Sequence, residues 1–154
     1  LYVPAHGQCA PKLAALHAGW RGLSGHGIKG GGIVQRWLQD HVPVAQRSSV
    51  QAWLGPCIGP TAFEVGPEVV AAFTGQSPQM AAAFRPGAHG KHWADLAALA
   101  RMGLQAAGVE TIRGNDSDSS WCTHTQSQRF FSHRRDAGSY GSTGRMAASI
   151  WRLS

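Results

Sequence analysis

The chain has 154 residues, of which 43% are hydrophobic and 14% are charged. This size suits one domain that buries roughly two-thirds of its unfolded surface, and the composition excludes a disordered or fibrous chain. The net charge of +6 favours a phosphate-bearing or otherwise anionic partner. The basic residues are scattered along the chain, however, so we expect no nucleic-acid partner.

The cysteines and the start of the chain indicate its cellular compartment. Cys9, Cys57 and Cys122 leave one over from any pairing, which fits reduced thiols in a cytoplasmic protein better than a disulfide framework. No apolar stretch is long enough to cross a bilayer, so we expect no membrane partner. The chain opens at Leu1 with neither a starting methionine nor a basic leader, and we expect that it is truncated at its amino end.

Hydrophobic periodicity and helix-boundary residues predict alternating strands and helices. In chain order these are a strand over 12–17, a glycine-weakened helix over 23–41, a strand over 50–54, a helix over 67–73, an irregular stretch over 76–93, a helix over 95–107, a strand over 109–113, a polar loop over 115–120, a strand beginning at 130–131, a Gly/Ser loop over 138–144 and a last strand over 146–151. We therefore predict an α/β (α+β) fold, in which residues 1–154 form a single layered domain of a mixed β-sheet and flanking helices.

The first candidate site is the segment 17–22, which reads HAGWRG and follows the first predicted strand. The ends of strands are where α/β folds place ligand sites. His17 could ligate a metal or act as a general base, and Arg21 could hold a phosphate or carboxylate through two parallel hydrogen bonds. The alternative is an ordinary turn in which Trp20 fills the core and Arg21 faces water.

The second candidate is Cys57, which lies in the turn GPCIGP over 55–60. It could be a nucleophile if a histidine and a positive environment lowered its pKa. The alternative is a small buried hydrophobe in a rigid turn.

The third candidate is the segment 130–136, which reads FFSHRRD. In a strand, alternation would place Ser132 and Arg134 on one face and His133 and Arg135 on the other. One face could then present a hydroxyl and a guanidinium to an anion. The alternative is a surface ion pair between Arg135 and Asp136.

Two further motifs predict no site. The glycine pattern over 25–30 matches G-x-G-x-x-G, but it follows no strand directly and no acidic residue stands about twenty residues further on. The pair His89 and His92 has no H-E-x-x-H or C-x-x-C companion, so a loop pair is the simpler interpretation.

Taken together, six blocks resemble one family in their order along the chain. They are HAGWRG (17–22), WLGPCIGP with FEVG (53–60 and 63–66), Asp95-Leu96, Cys122-Thr123, FFSHRRD (130–136) and GRMA (144–147). The chain thus resembles the YfiH-type family, long labelled laccase-domain or multicopper polyphenol oxidase proteins. Its members are regarded as zinc-dependent purine nucleoside phosphorylases with adenosine deaminase and methylthioadenosine phosphorylase activities, and their fold resembles the catalytic domain of cytotoxic necrotizing factor, a cysteine hydrolase.

The resemblance implies specific roles. His17 matches the last of three zinc ligands, and the resemblance places the other two, a histidine and a cysteine, ahead of Leu1. Because a zinc site needs at least three protein ligands, we expect this chain alone to bind the metal weakly or not at all. Phosphate would be held by Arg21, Arg134 and Arg135, with Trp20 as an aromatic wall and Ser132 beside them. Cys57 does not match a zinc ligand, and it stays a candidate only as a catalytic nucleophile.

Two other functions stay open beside the zinc-dependent purine nucleoside enzyme. One is a laccase-type polyphenol oxidoreductase that uses copper. Multicopper sites rely on H-x-H pairs, and none of the eight histidines is two residues from another. The other is a role in editing peptidoglycan precursors or as a hydrolase with a catalytic cysteine. The sequence also leaves open whether the chain forms a homo-oligomer.

Overall fold

The computed structural model describes residues 1–27 and 31–151. Its elements in chain order are β1 (Tyr2–Val3), β2 (Lys12–Leu13), α1 (Trp20–Ser24), α2 (Ile33–His41), β3 (Gln51–Leu54), β4 (Glu64–Val65), α3 (Pro67–Thr74), β5 (Phe84–Pro86), β6 (His92–Ala94), α4 (Leu96–Ala106), β7 (Thr111–Gly114) and α5 (His133–Tyr140). Short 3-10 helices cover Val44–Ser49, Pro78–Ala83 and Ser119–Trp121. The predicted mixed α/β class is confirmed.

The chain divides into two compact units. The first unit comprises Leu1–Leu54, Ala100–Gly114 and Ser149–Ser154, and the second comprises Gly55–Leu99 and Asn115–Ala148. The prediction of a single domain stays a prediction. No helix in the described part of the chain is long and apolar enough to cross a membrane.

The first unit is built on a four-stranded mixed sheet in the order β2-β1-β3-β7. The first three strands are antiparallel neighbours, whereas β3 and β7 run parallel, with Gln51 opposite Thr111 and Leu54 opposite Gly114. Side chains along β3 alternate, since Ala52 is buried and Trp53 is exposed. The carboxyl ends of β3 and β7 therefore lie side by side.

The second unit contains a three-stranded antiparallel sheet in the order β4-β6-β5. Helix α3 follows β4 and starts with Pro67, whose fixed φ suits a first helical turn. Its Val69 and Phe73 are buried, and the Phe73 ring centroid lies 6.1 Å from that of Phe84. Apolar contacts between helix and sheet thus form the core of this unit.

Several predicted boundaries near the amino end are wrong. The strand expected over 12–17 is reduced to Lys12–Leu13, and both residues are exposed because β2 pairs only with β1 at the edge of the sheet. The helix expected over 23–41 is two helices. Gly25 ends α1 in the left-handed conformation at φ 67°, and Gly32 caps the start of α2. Glycine is the residue that adopts this conformation without strain.

Three predictions further along the chain are also wrong. The stretch 76–93 is not irregular, because it holds a 3-10 helix and strands β5 and β6. The strand expected at 130–131 is absent, and Ser132 instead caps helix α5. A serine followed by an acidic residue favours a helix start and outweighs the strand preference of two phenylalanines. Among the described residues, 146–151 form no strand.

Candidate functional site

The segment 17–22 lies in the first unit and forms the turn into α1. His17 is exposed, and its Nε2 atom lies 3.7 Å from the position that a Cβ on Gly19 would occupy. Gly19 caps the helix through its carbonyl, which accepts a 2.8 Å hydrogen bond from Leu23 N. A side chain at position 19 would therefore meet the imidazole only at ordinary van der Waals distance.

Trp20 connects the side chains of this turn. Its ring centroid lies 4.7 Å from the Arg21 guanidinium carbon and 5.4 Å from the ring of His26. Trp20 is half-buried, whereas Arg21 and His26 are exposed. A guanidinium over an indole is held by the ring quadrupole, so Arg21 is pre-positioned with its donors toward solvent. Trp20 and Arg21 thus contact each other at the start of α1, His17 precedes Trp20 by three residues, and their joint role in one site stays a prediction.

The described residues do not complete a metal site. Within 1–27 and 31–151, no group of three or more His, Cys, Asp or Glu side chains is arranged to hold a metal ion. His17 contributes one imidazole, and a zinc site needs at least three protein ligands. His89 and His92 also form no such group; His89 is exposed, and His92 Nδ1 is buried without a hydrogen-bond partner. The glycine pattern over 25–30 lies partly outside the described residues.

Cys57 lies in the second unit, in the turn after β3, and it accepts a hydrogen bond. Asn115 Nδ2 donates to Cys57 Sγ at 3.3 Å and to the Gly55 carbonyl at 3.1 Å. The Cys57 carbonyl accepts from Thr123 N at 2.9 Å, and Cys57 pairs with Cys122 in an isolated parallel bridge. The turn is thus tied by its backbone to the segment around Cys122.

The electrostatics of this turn favour a neutral Cys57 thiol. The pKa of Cys57 is raised to about 11, chiefly by burial; the hydrogen bond from Asn115 opposes the rise, and the charge of Asp95 contributes to it. A thiol with this pKa is almost wholly protonated at neutral pH and is a weak nucleophile. The electrostatics therefore favour the alternative in which Cys57 is a small packing residue of the turn, and the structure shows it half-buried.

The pKa of the Cys122 thiol is shifted in the opposite direction from that of Cys57. Burial raises its pKa, but hydrogen bonds from Thr125, Gly59 and His124 together lower it below the ordinary value. Gly59 N donates to Cys122 Sγ at 3.2 Å, and a Cβ on Gly59 would lie 3.1 Å from that sulfur. Cys122 is 2% exposed, so its thiol serves the packing of this turn.

A buried polar network around Asn115 escaped the sequence analysis. Asn115 Oδ1 accepts from Ser117 N at 2.9 Å, and Ser117 Oγ donates to Asp95 Oδ1 at 2.8 Å. The same carboxylate oxygen accepts from Ala98 N and thereby caps α4. Ser117 has a φ of 76°, a strained conformation for serine. The signal that could have found the network is the Asn-x-Ser spacing after β7, which is typical of an Asx turn.

Arg135 is engaged within the second unit. Its guanidinium donates to the carbonyls of Thr123, His124 and Phe130 at 2.8, 3.0 and 2.9 Å, and its Nε donates to Asp136 at 2.7 Å. The ion pair between Arg135 and Asp136, which the sequence offered as the alternative, is therefore present. These bonds favour a structural role for Arg135.

Ser132 and Arg134 belong to the start of α5 and do not alternate across a strand. Ser132 is 5% exposed, its Oγ accepts from Arg135 N, and its own N–H donates to Asp136 Oδ2 at 2.9 Å. Arg134 is exposed, with its guanidinium carbon 5.5 Å from the Phe63 ring and a 2.9 Å bond to the Glu64 carbonyl. Of this segment, Arg134 is the cation best placed to meet an anion from solvent.

Known proteins similar to this chain share one family but are named for different activities. A family model described as multi-copper polyphenol oxidoreductase laccase matches residues 6–153. The purine nucleoside phosphorylase YfiH of Escherichia coli (strain K12) is 43% identical over 147 residues, which are 95% of this chain and 53% of that protein. An adenosine deaminase, RL5, from an unknown prokaryotic organism is 37% identical over 124 residues, which are 80% of this chain and 45% of that protein.

A solved structure is also similar to this chain in fold and in sequence. The crystal structure of Neisseria meningitidis protein NMB0706 aligns with a TM-score of 0.66 at 41% identity and covers 78% of this chain and 45% of that chain. The chain therefore spans about half the length of the relatives it matches.

Proposed function

The chain belongs to the multi-copper polyphenol oxidoreductase laccase family, and on this premise we propose that it works in a purine nucleoside phosphorylase. The observation that carries the proposal is its 43% identity, over 95% of its length, to a protein named for that activity. The exposed turn of His17, Trp20 and Arg21 supports it, because the turn combines a possible metal ligand, an aromatic wall and an anion-binding cation.

Phosphorolysis breaks the bond between C1′ of the ribose and the purine nitrogen. A phosphate oxygen forms the new bond to C1′, and the purine leaves with the electron pair and takes up a proton. Negative charge on phosphate must be held beside the ribose, which suits bidentate arginine donors. Arg21 fits this role because its stacking on Trp20 fixes its direction, and we assign Trp20 as the aromatic wall beside it.

We assign secondary roles to the residues of the second unit in this proposal. Arg134 is the candidate for binding an anion in its own unit, since its guanidinium lies at the surface. Ser132 and Arg135 stabilise the start of α5, and Cys57 packs within the turn that follows β3. Zinc is the metal implied by the family resemblance, with copper as its alternative, and His17 would be one ligand. Because the described residues supply no complete ligand set, we assign no step to the metal.

Two further activities are part of the proposal. Similarity to a protein named adenosine deaminase supports deamination of adenosine, in which water replaces the amino group and ammonia leaves. Methylthioadenosine would be a third substrate, cleaved by phosphate at the same bond as inosine. Polyphenol oxidation is the weaker candidate, because only the name of the family favours it. Three cysteines without a disulfide support a cytoplasmic location.

The test uses a fusion protein in which the part of the Escherichia coli relative that this chain does not cover precedes this chain. Purine release from inosine is assayed with and without phosphate. We expect release that requires phosphate and is lost in His17→Ala, while His41→Ala, an exposed histidine on α2, keeps it. Equal release without phosphate would show a hydrolase. Oxidation of phenols without purine release would show an oxidase, and either result would overturn the proposal.

A further inference from the structure

The second unit has a cavity on its surface, largely open to solvent, that the proposed reaction does not use. It has a volume of about 310 Å³ and is lined by Thr61, Arg85, Pro86 and Trp93. This volume is at the small end of the range for ligand sites, roughly 300–1,000 Å³. The lining offers an indole, a guanidinium and a hydroxyl, so the cavity suits a small ligand with both an aromatic ring and a negative group.

The register of the sheet places the important side chains together. Trp93 on β6 is directly opposite Arg85 on β5 and Glu64 on β4. Directly opposite residues of antiparallel strands project from the same face, with Cβ atoms about 5 Å apart. The indole is therefore flanked by a guanidinium on one side and a carboxylate on the other.

The charge balance of this row favours an anion. Lys91 Nζ lies 2.8 Å from Glu64 Oε2, so the carboxylate is already paired. Arg85 donates through one terminal nitrogen to the Pro60 carbonyl at 3.1 Å, and a guanidinium has five N–H donors in a fixed fork. The bond to Pro60 orients the guanidinium and leaves donors for a ligand.

We propose that this cavity binds a nucleoside monophosphate. The base stacks on Trp93, and the phosphate accepts hydrogen bonds from Arg85 and from the hydroxyl of Thr61. The proposal does not depend on phosphorolysis, because none of its residues belongs to the turn at His17.

The test is calorimetric titration of the 154-residue chain with AMP, adenosine and inorganic phosphate in a phosphate-free buffer of low salt. We expect AMP to bind more tightly than either fragment, since stacking and the charged bonds act together. Arg85→Gln should weaken AMP about tenfold or more and change adenosine little. Trp93→Leu should weaken both AMP and adenosine, whereas Trp93→Phe keeps a ring and should stay near the parent affinity.

Two control variants distinguish binding in this cavity from nonspecific attraction and from binding at the turn of His17. Arg36→Gln removes an exposed charge on α2 and should leave AMP binding unchanged; an effect equal to that of Arg85→Gln would show nonspecific attraction. His17→Ala should also bind AMP normally, and loss of binding there would assign AMP to the turn at His17. No detectable AMP binding, or binding insensitive to Arg85→Gln, would overturn the proposal. If Trp93→Leu fails to fold, the result for Arg85→Gln decides the proposal, because Arg85 is exposed and its substitution should leave the fold intact.

Discussion

The side-chain amide of Asn115 donates a 3.3 Å hydrogen bond to the sulfur of Cys57. The same nitrogen bonds to the Gly55 carbonyl, and the amide oxygen accepts from Ser117 N. One buried amide thus fixes the turn after β3 and the turn after β7. Cys57 acts in this arrangement as an acceptor held in place, which accounts for its position better than a nucleophilic role does.

The first prediction concerns thiol reactivity. Because burial raises the pKa of Cys57 to about 11, its thiolate is scarce at neutral pH and increases only as the pH rises towards that value. Cys9 is exposed and should be alkylated by iodoacetamide far faster than Cys57 at pH 7.5. Peptide mass spectrometry over a pH series measures both rates. Equal labelling of the two cysteines at neutral pH would contradict the buried, protonated thiol.

The second prediction concerns the stability of the Asn115 network. Asn115→Leu leaves the Gly55 carbonyl and the Ser117 N–H without their partner, and it should lower the free energy of unfolding by about 2–4 kcal/mol. Asn115 is 2% exposed, so water cannot replace these bonds readily. Gln39→Ala, which removes an exposed amide from α2, should cost under about 0.5 kcal/mol. Similar losses in both variants by urea unfolding would contradict the network.

The third prediction separates conformation from contact at two glycines. Gly25 and Gly27 both have positive φ, at 67° and 75°. A Cβ on Gly25 would overlap the backbone of Gly31, whereas a Cβ on Gly27 meets no atom of the described residues within 4 Å. Gly27→Ala should therefore cost about 1 kcal/mol for strain alone, and Gly25→Ala clearly more. Thermal unfolding measures the difference, and equal costs would show that the close approach has little effect.

The fourth prediction distinguishes two arginines. Arg135→Gln removes bonds to three carbonyls and should lower the free energy of unfolding by about 2–4 kcal/mol, with the KM for phosphate unchanged in molecules that fold. Arg21→Gln should leave stability within about 0.5 kcal/mol and raise the KM for phosphate in the fused enzyme. Urea unfolding and steady-state kinetics measure the two effects. The reverse pattern would reassign phosphate binding to Arg135.

Local signals in the sequence located some elements well. Pro67 marks the first residue of α3, and Gly108, with φ at 91°, follows α4 as its predicted stop. Both signals act through backbone conformation, which depends on the residue itself. The segment 17–22 was recognisable because its side chains and glycines are adjacent in sequence, although residues 20–22 belong to α1.

Features that depend on distant partners were not predictable in this way. Arg135 is engaged by the carbonyls of Thr123 and His124, and nothing in FFSHRRD indicates that these carbonyls are near. Strands β5 and β6 span three residues each, too short for a periodic pattern to emerge. The Asn115 network likewise joins residues 58 positions apart.

The measurement that tests the central claim most directly is phosphorus NMR of the fused enzyme with inosine and inorganic phosphate. The proposed function predicts that ribose 1-phosphate forms in step with hypoxanthine and that inorganic phosphate falls by the same amount. Release of hypoxanthine with free ribose and an unchanged phosphate signal would contradict phosphorolysis and show that water is the attacking group.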